Sequence, residues 1–143
     1  MTALTTGRNT FRVEETRITL PVAANVTIFE GAIVVVDSLG NAWPVTAATD
    51  RRVVGRADER VTNGAVAGAV TIKISRGMFW YENDTSEAIT RGQINMNCWL
   101  KDDQTVSAGA TGRNLAGRIV DVSPTLGVCV ELGIRGIGDI VSS

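Results

Sequence analysis

Three pairs of adjacent acids, Glu14-Glu15, Asp58-Glu59 and Asp102-Asp103, are the residues of this chain that come nearest to general acid–base chemistry. Such chemistry needs two groups that converge on one reacting bond. Neighbours in an extended strand point to opposite faces, and Asp102-Asp103 falls in a predicted turn, so all three pairs read as solvated charge. The chain contains no histidine, which removes the commonest general base and metal ligand together with the central member of the usual serine and cysteine triads. Asp102-Asp103-Gln104 is too short for a calcium loop of the EF-hand kind. Gly109-Ala110-Thr111-Gly112-Arg113 has the glycines of a phosphate loop but lacks the Gly-Lys-Ser/Thr ending and leads into a strand. The residues therefore predict a protein that is not an enzyme and takes no metal or cofactor.

Binding chemistry has more material. Phe79, Trp80 and Tyr81 could stack sugars or bases, which keeps a carbohydrate- or ligand-binding β-module as an alternative, although aromatics on a central strand belong to the core more often. With 14 Lys+Arg against 15 Asp+Glu, the formal charge is −1, so no global field draws a polyanion or an acidic bilayer. Arg8, Arg12, Arg51, Arg52 and Arg56 are dispersed among acids, which argues against nucleic acid. Lysine occurs only at 73 and 101, and a basic complement made of arginine suits protein contacts. Cys98 and Cys129 share no metal or redox spacing and each sits in an apolar run, so buried, reduced thiols are expected, with a single disulfide as the other possibility. The first residues lack the pattern of a signal peptide and no apolar run is long enough to span a bilayer. Synthesis and assembly in a cytoplasm, without a membrane, are expected.

The elements that must position these residues are strands. A chain of 143 residues fits one domain, and runs of Val, Ile and Thr separated by Gly-rich turns indicate a small all-β barrel or sandwich. Ile18 to Val22 alternates and carries Pro21, which places it at an edge. Ala32 to Val36 is apolar on both faces and reads as a central strand, returned by a turn at 37–41 to Ala42-Trp43-Pro44-Val45. Arg52 to Ala57 is a further strand, and Asn63-Gly64 a turn pair. Residues 70–81 read as one long strand bent at Gly77, with Ile72, Ile74, Met78 and Trp80 on one face. Short helical turns are predicted at 84–87 and 90–93. Two hairpins follow, around Asp102-Asp103 and around Ser123 to Gly127. The predicted organisation is an N-terminal arm over 1–16, a β-barrel domain over 17–132 and an extended C-terminal tail over 133–143. The arm reads either as a frayed terminus or as a segment ordered by a neighbouring subunit, and the tail either as a last edge strand or as a segment that docks on a neighbour by strand addition. Arg8, Asn9, Phe11 and Arg12 in the arm and Ile134, Ile137 and Ile140 in the tail are the predicted partner-binding residues.

The order of several segments resembles a group of small phage proteins encoded near the major capsid gene. The segments are Thr2-Ala3-Leu4 to Arg8-Asn9-Thr10, Pro21 to Ile28, Val54-Gly55-Arg56-Ala57-Asp58-Glu59-Arg60-Val61, Arg76-Gly77-Met78-Phe79, Ala88-Ile89-Thr90-Arg91, Asp102 to Val106, and Ala116 to Val122. They span most of 2–132. Phe11 stands where that pattern has Pro, and the tail from Gly133 is an addition. The resemblance implies a phage capsid decoration, or cement, protein: a β-barrel, often trimeric, that binds the major capsid protein on the outer surface of the head in the virion and stabilises the shell. A tail or head-fibre component is the alternative within a virion.

Overall fold

The computed structural model describes Thr6 and residues 17–133. It is all-β, and among the described residues no helix reaches seven residues. The first half forms seven strands: Arg17–Pro21 (β1), Thr27–Ile28 (β2), Ile33–Val36 (β3), Ala42–Pro44 (β4), Arg52–Ala57 (β5), Val61–Thr62 (β6) and Thr71–Ser75 (β7). Five of them make a sheet in the order β1-β7-β5-β3-β4, while β2 and β6 pair separately. The second half supplies Met78–Asn83 (β8), Asn97–Leu100 (β9), Thr105–Ser107 (β10), Leu115–Ser123 (β11) and Gly127–Leu132 (β12). These close into a five-stranded barrel in the order β10-β8-β12-β11-β9. Within the 17–132 span the barrel thus occupies the second half, and the first half is a sheet packed against it.

The double-faced apolar run in β3 explains why the two halves hold together. Ile33 and Val35 point into one core with Tyr81, Cys98, Leu100, Val128 and Val130 of the barrel, while Val34 points into a second core with Val22, Ile28, Ile72 and Ile74. Alternation along a strand sends successive side chains to opposite faces, so a strand with water on neither side must be apolar throughout. Each such side chain contributes on the order of 1.5–3 kcal/mol by leaving water. Pro21 sits on β1, an edge strand paired only to β7, where its missing N–H leaves no gap in the sheet. The predicted turn at 37–41 is held by Asp37. Its Oδ1 accepts from Leu39 N at 2.9 Å and Asn41 N at 3.0 Å, its Oδ2 accepts from Trp43 Nε1 at 2.7 Å, and Gly40 takes the left-handed conformation at φ 82°.

Three local expectations need correction. Residues 70–81 are two strands in different sheets: β7 ends at Ser75, Gly77 turns the chain at φ 142°, and β8 begins the barrel. The turn also reverses the inward parity. Ile72 and Ile74 are buried in β7, whereas Tyr81 is the buried residue of β8 and Met78 and Trp80 are exposed. Asn63-Gly64 does not close a hairpin onto the next strand, because β6 pairs back to β2. Asn63 is instead buried, and its Nδ2 reaches the carbonyls of Val22 at 3.0 Å, Ala23 at 3.1 Å and Val66 at 3.0 Å, fastening a long loop to β1. Of the two predicted helical turns, only Arg91–Gln93 forms, as a 3-10 turn in which Gln93 Oε1 accepts from Thr90 N at 2.8 Å. At 84–87 the Asp84 carboxylate accepts the Ser86 N–H at 3.0 Å but is also drawn inward by a buried charge cluster, and no helix follows.

Candidate interaction surface

The outward face of the barrel carries apolar side chains that its core does not need. Along β8 the inward residue is Tyr81, which leaves Met78 58% and Trp80 39% exposed on the other face. Register places Trp80 beside Cys129 of β12 and Cys129 beside Asp121 of β11. A shift in pairing between Ile119 and Asp121 inserts Val120 as an extra residue, and it stands 38% exposed next to buried Ile119. Strands β8 and β11, which flank β12 on either side, therefore show apolar residues both to the core and to solvent. Clustered exposed apolar side chains on a small domain mark a contact surface more often than isolated ones do.

Beside Trp80 lies an open groove of about 610 Å³, where the five-stranded sheet meets the barrel. Its apolar lining is Phe29, Trp80 and Leu126, and its charged lining is Glu30, Glu82 and Asp103. Phe29 is 53% and Leu126 59% exposed, so two of the apolar walls face water. The floor is fixed from both halves. Tyr81 Oη donates to the Gly31 carbonyl at 3.2 Å, and Ile33 N donates to the Asp103 carbonyl at 2.9 Å. Burial pushes the Asp103 carboxyl above its usual range, and the neighbouring Asp102 adds to the shift. Burial likewise pushes the Tyr81 phenol up, with Arg56 opposing and Asp103 adding to it. Positive charge borders the groove at Arg60, whose guanidinium lies 5.1 Å from the Phe29 ring, and at Arg56 beside Gly31.

The two acid pairs among the described residues do not converge on a common point. Asp58 accepts from Ser75 Oγ at 2.6 Å and pairs with Arg56 at 3.2 Å and Arg17 at 3.5 Å, while Glu59 turns away to accept Lys73 N at 3.1 Å. Asp102 accepts Gln104 N at 2.9 Å within its turn, and Asp103 enters the groove. Glu14-Glu15 lies outside the described residues. Among the described residues no group of three or more Cys, Asp and Glu is placed to hold a metal ion, and no helix is long and apolar enough to cross a membrane.

Sequence reasoning missed a buried polar cluster. Asp84, with 1% exposure, accepts from Lys101 Nζ at 2.7 Å and Ser107 Oγ at 2.8 Å. Arg113 completes the cluster by donating to Ser107 Oγ at 2.9 Å and to the Gly109 carbonyl at 3.0 Å, and it pairs with Glu87 at 3.2 Å. A carboxylate so surrounded is held well below its usual range, first by the Lys101 hydrogen bond and then by the Ser86 amide, against the opposing effect of burial. Its partners come from four separated positions, and no spacing in the sequence announces them. Every acceptor is committed to fixing the 84–113 loops on the barrel, which is a structural task.

The three consecutive aromatics do not form a common platform. Tyr81 is in the barrel core with Phe79 packed against it and meets the groove only at its floor, whereas Trp80 turns outward to form a groove wall. The cysteines are both free. Cys98 points into the core, where burial pushes its thiol up to about 12, while Cys129 is half-buried beside Asp121. Two thiols on opposite sides of the barrel wall cannot be bridged, so the disulfide alternative is ruled out, and Cys129 is less enclosed than its apolar run suggests. The predicted contact residues Arg8, Asn9, Phe11, Arg12, Ile134, Ile137 and Ile140 all lie outside the described residues. Comparisons with protein families, curated proteins and solved structures find nothing that matches the chain.

Proposed function

We propose that this chain is a non-enzymatic structural virion protein, a capsid decoration protein that binds the outer surface of a phage head and stabilises the shell by bridging major capsid protein subunits. The observation that carries the proposal is the apolar outward face of the barrel at Met78, Trp80 and Val120. It gives an assembly module a surface to bury, and the segment order that resembles phage decoration proteins names the partner. Self-association as a trimer, placement on the capsid surface and assembly in the host cytoplasm belong to the same proposal. The arm residues Arg8, Asn9, Phe11 and Arg12 and the tail residues Ile134, Ile137 and Ile140 extend the contact beyond the barrel. Several weak contacts of this kind become durable together through effective concentration.

The test is co-sedimentation of the purified protein with undecorated phage heads. The double variant M78D/W80D places two charges on the proposed contact face without touching either core. Losing two anchors of about 1–2 kcal/mol each is expected to weaken binding on the order of 100-fold, with the fold unchanged by circular dichroism. Undiminished binding of the folded variant would move the contact away from this face.

A further inference from the structure

Strand β5 outruns its neighbour on one side. β3 accompanies it from Arg52 to Arg56, but β7 pairs only with Arg56 and Ala57. Beyond the end of β7, the edge of β5 at Arg52, Val53 and Val54 meets no strand among the described residues. The facing wall is the end of β12, and its amides are already used: Leu132 N donates to the Gly77 carbonyl at 3.1 Å and Gly133 N to the Ala116 carbonyl at 3.0 Å. A β-carbon placed on Gly133 would stand 3.7 Å from the Val53 carbonyl oxygen, so that acceptor looks into the gap. Backbone groups left open along an edge are a template for an added strand.

The gap also has a distinct side-chain chemistry. It is a cleft of about 230 Å³ with Val36, Val53 and Leu132 as apolar lining and Arg52 and Arg76 as charged lining. Small-molecule sites begin at roughly 300 Å³, so the space suits side chains of an extended segment better than a whole cofactor. Both arginines are exposed. Among the described residues Arg76 makes no ion pair, and Arg52 donates only to the Asp37 carbonyl at 3.5 Å. The Asp37 carboxylate is itself committed to Leu39, Asn41 and Trp43. Two guanidinium groups without a carboxylate therefore frame an apolar cleft beside an open strand edge.

We infer that this cleft receives an extended segment of a partner protein in which aliphatic residues alternate with aspartate or glutamate. The segment's backbone adds to β5 beyond the end of β7, its aliphatic side chains lie on Val53 and Leu132, and its carboxylates lie on Arg52 and Arg76. Alternation follows from β5 itself. Val53 packs toward the barrel core and Val54 toward the core of the sheet, so a strand laid alongside presents successive side chains to two different surroundings. Main-chain bonds supply the affinity, and the arginine–carboxylate contacts select the segment. Met78, Trp80 and Val120 take no part in the lining, so this seat is separate from the proposed shell contact.

An NMR titration of the isotope-labelled full-length chain with two capped six-residue peptides tests the assignment. One peptide alternates valine with aspartate, the other valine with lysine. The aspartate peptide is expected to shift the amide signals of Val53, Val54 and Gly133 saturably and to bind about ten-fold more tightly than the lysine peptide. Arg76→Glu should weaken the aspartate peptide about ten-fold, and Arg52→Glu combined with Arg76→Glu should reverse the preference. Unchanged signals from β9 show that the fold survives in each variant. Equal binding of the two peptides, no shift at these amides, or a doubly reversed protein that keeps its preference for aspartate would overturn the inference. Shifts at the same amides on concentrating the protein without peptide would mean that a second copy fills the edge, and the assignment to a partner would be wrong.

Discussion

Asp84→Ala is expected to destabilise the protein more than removal of any ion pair on its surface. The substitution takes the common acceptor from the buried Ser107 hydroxyl and from Arg113, whose side chain is 23% exposed, while Lys101 at 37% can turn to water, and desolvated donors left without an acceptor are costly. Arg91→Ala supplies the comparison. Its pair with Asp121 at 2.9 Å has side chains 70% and 48% exposed, and such a contact contributes about 0.5 kcal/mol. Thermal unfolding should show a drop for Asp84→Ala several times that for Arg91→Ala. The difference should also depend on pH in one direction. The Asp84 carboxyl is depressed in the folded state, so its stabilisation is complete above the unfolded carboxyl value of about 4 and is lost as pH falls from there through the folded value. Wild type and variant should therefore differ by a constant amount at neutral and mildly acidic pH and converge in strong acid. A neutral Asp84→Ala, or a difference that grows as pH falls, would mean that the cluster does not hold the loops.

Gly127→Ala is the second change with a large expected effect. Gly127 starts β12 at φ 95°, and a β-carbon there would be driven into the Tyr81 carbonyl, a backbone atom that cannot swing away. Strain in the left-handed region and a backbone clash together are expected to cost about 3–5 kcal/mol. Gly40→Ala separates the two contributions. Gly40 has φ 82°, but nothing lies within 4 Å of a β-carbon placed on it, so only the strain of about 1–2 kcal/mol applies. Chemical denaturation of the two variants should rank them in that order. Equal losses would show that β12 shifts to accept the methyl group and that the barrel closes less tightly at this seam.

Much of the strand plan was legible because it rests on local rules. Pro21 marked an edge, the apolar run at β3 marked a central strand, and the two late hairpins followed from turn residues between alternating segments. What escaped the sequence depends on contacts between distant residues. Gly77 marked a bend by its type, but not that the bend ends one sheet and starts another with the parity reversed, which decides that Tyr81 is core and Trp80 surface. Asn63 resembles a hairpin turn residue but is a buried donor for carbonyls some forty residues earlier. The Asp84 cluster draws on loops that meet only after the barrel closes. The groove is assembled in the same way, from three loops and one strand, and the single sign of it in the sequence is a tryptophan flanked by two aromatics of opposite facing. The predicted arms follow from residues left over once the barrel is complete, and that argument stops where the described residues stop.

The proposed bridging of subunits in a phage shell is tested by the rupture of heads with and without the protein. A ligand that prefers the intact shell stabilises it in proportion to occupancy. Particles stripped of the protein should release their genome at lower temperature or milder osmotic shock than decorated ones, and adding the purified chain back should restore resistance as sites fill. If stripped and fully decorated particles rupture under identical conditions, the protein does not bridge the shell, even if it is found on the capsid.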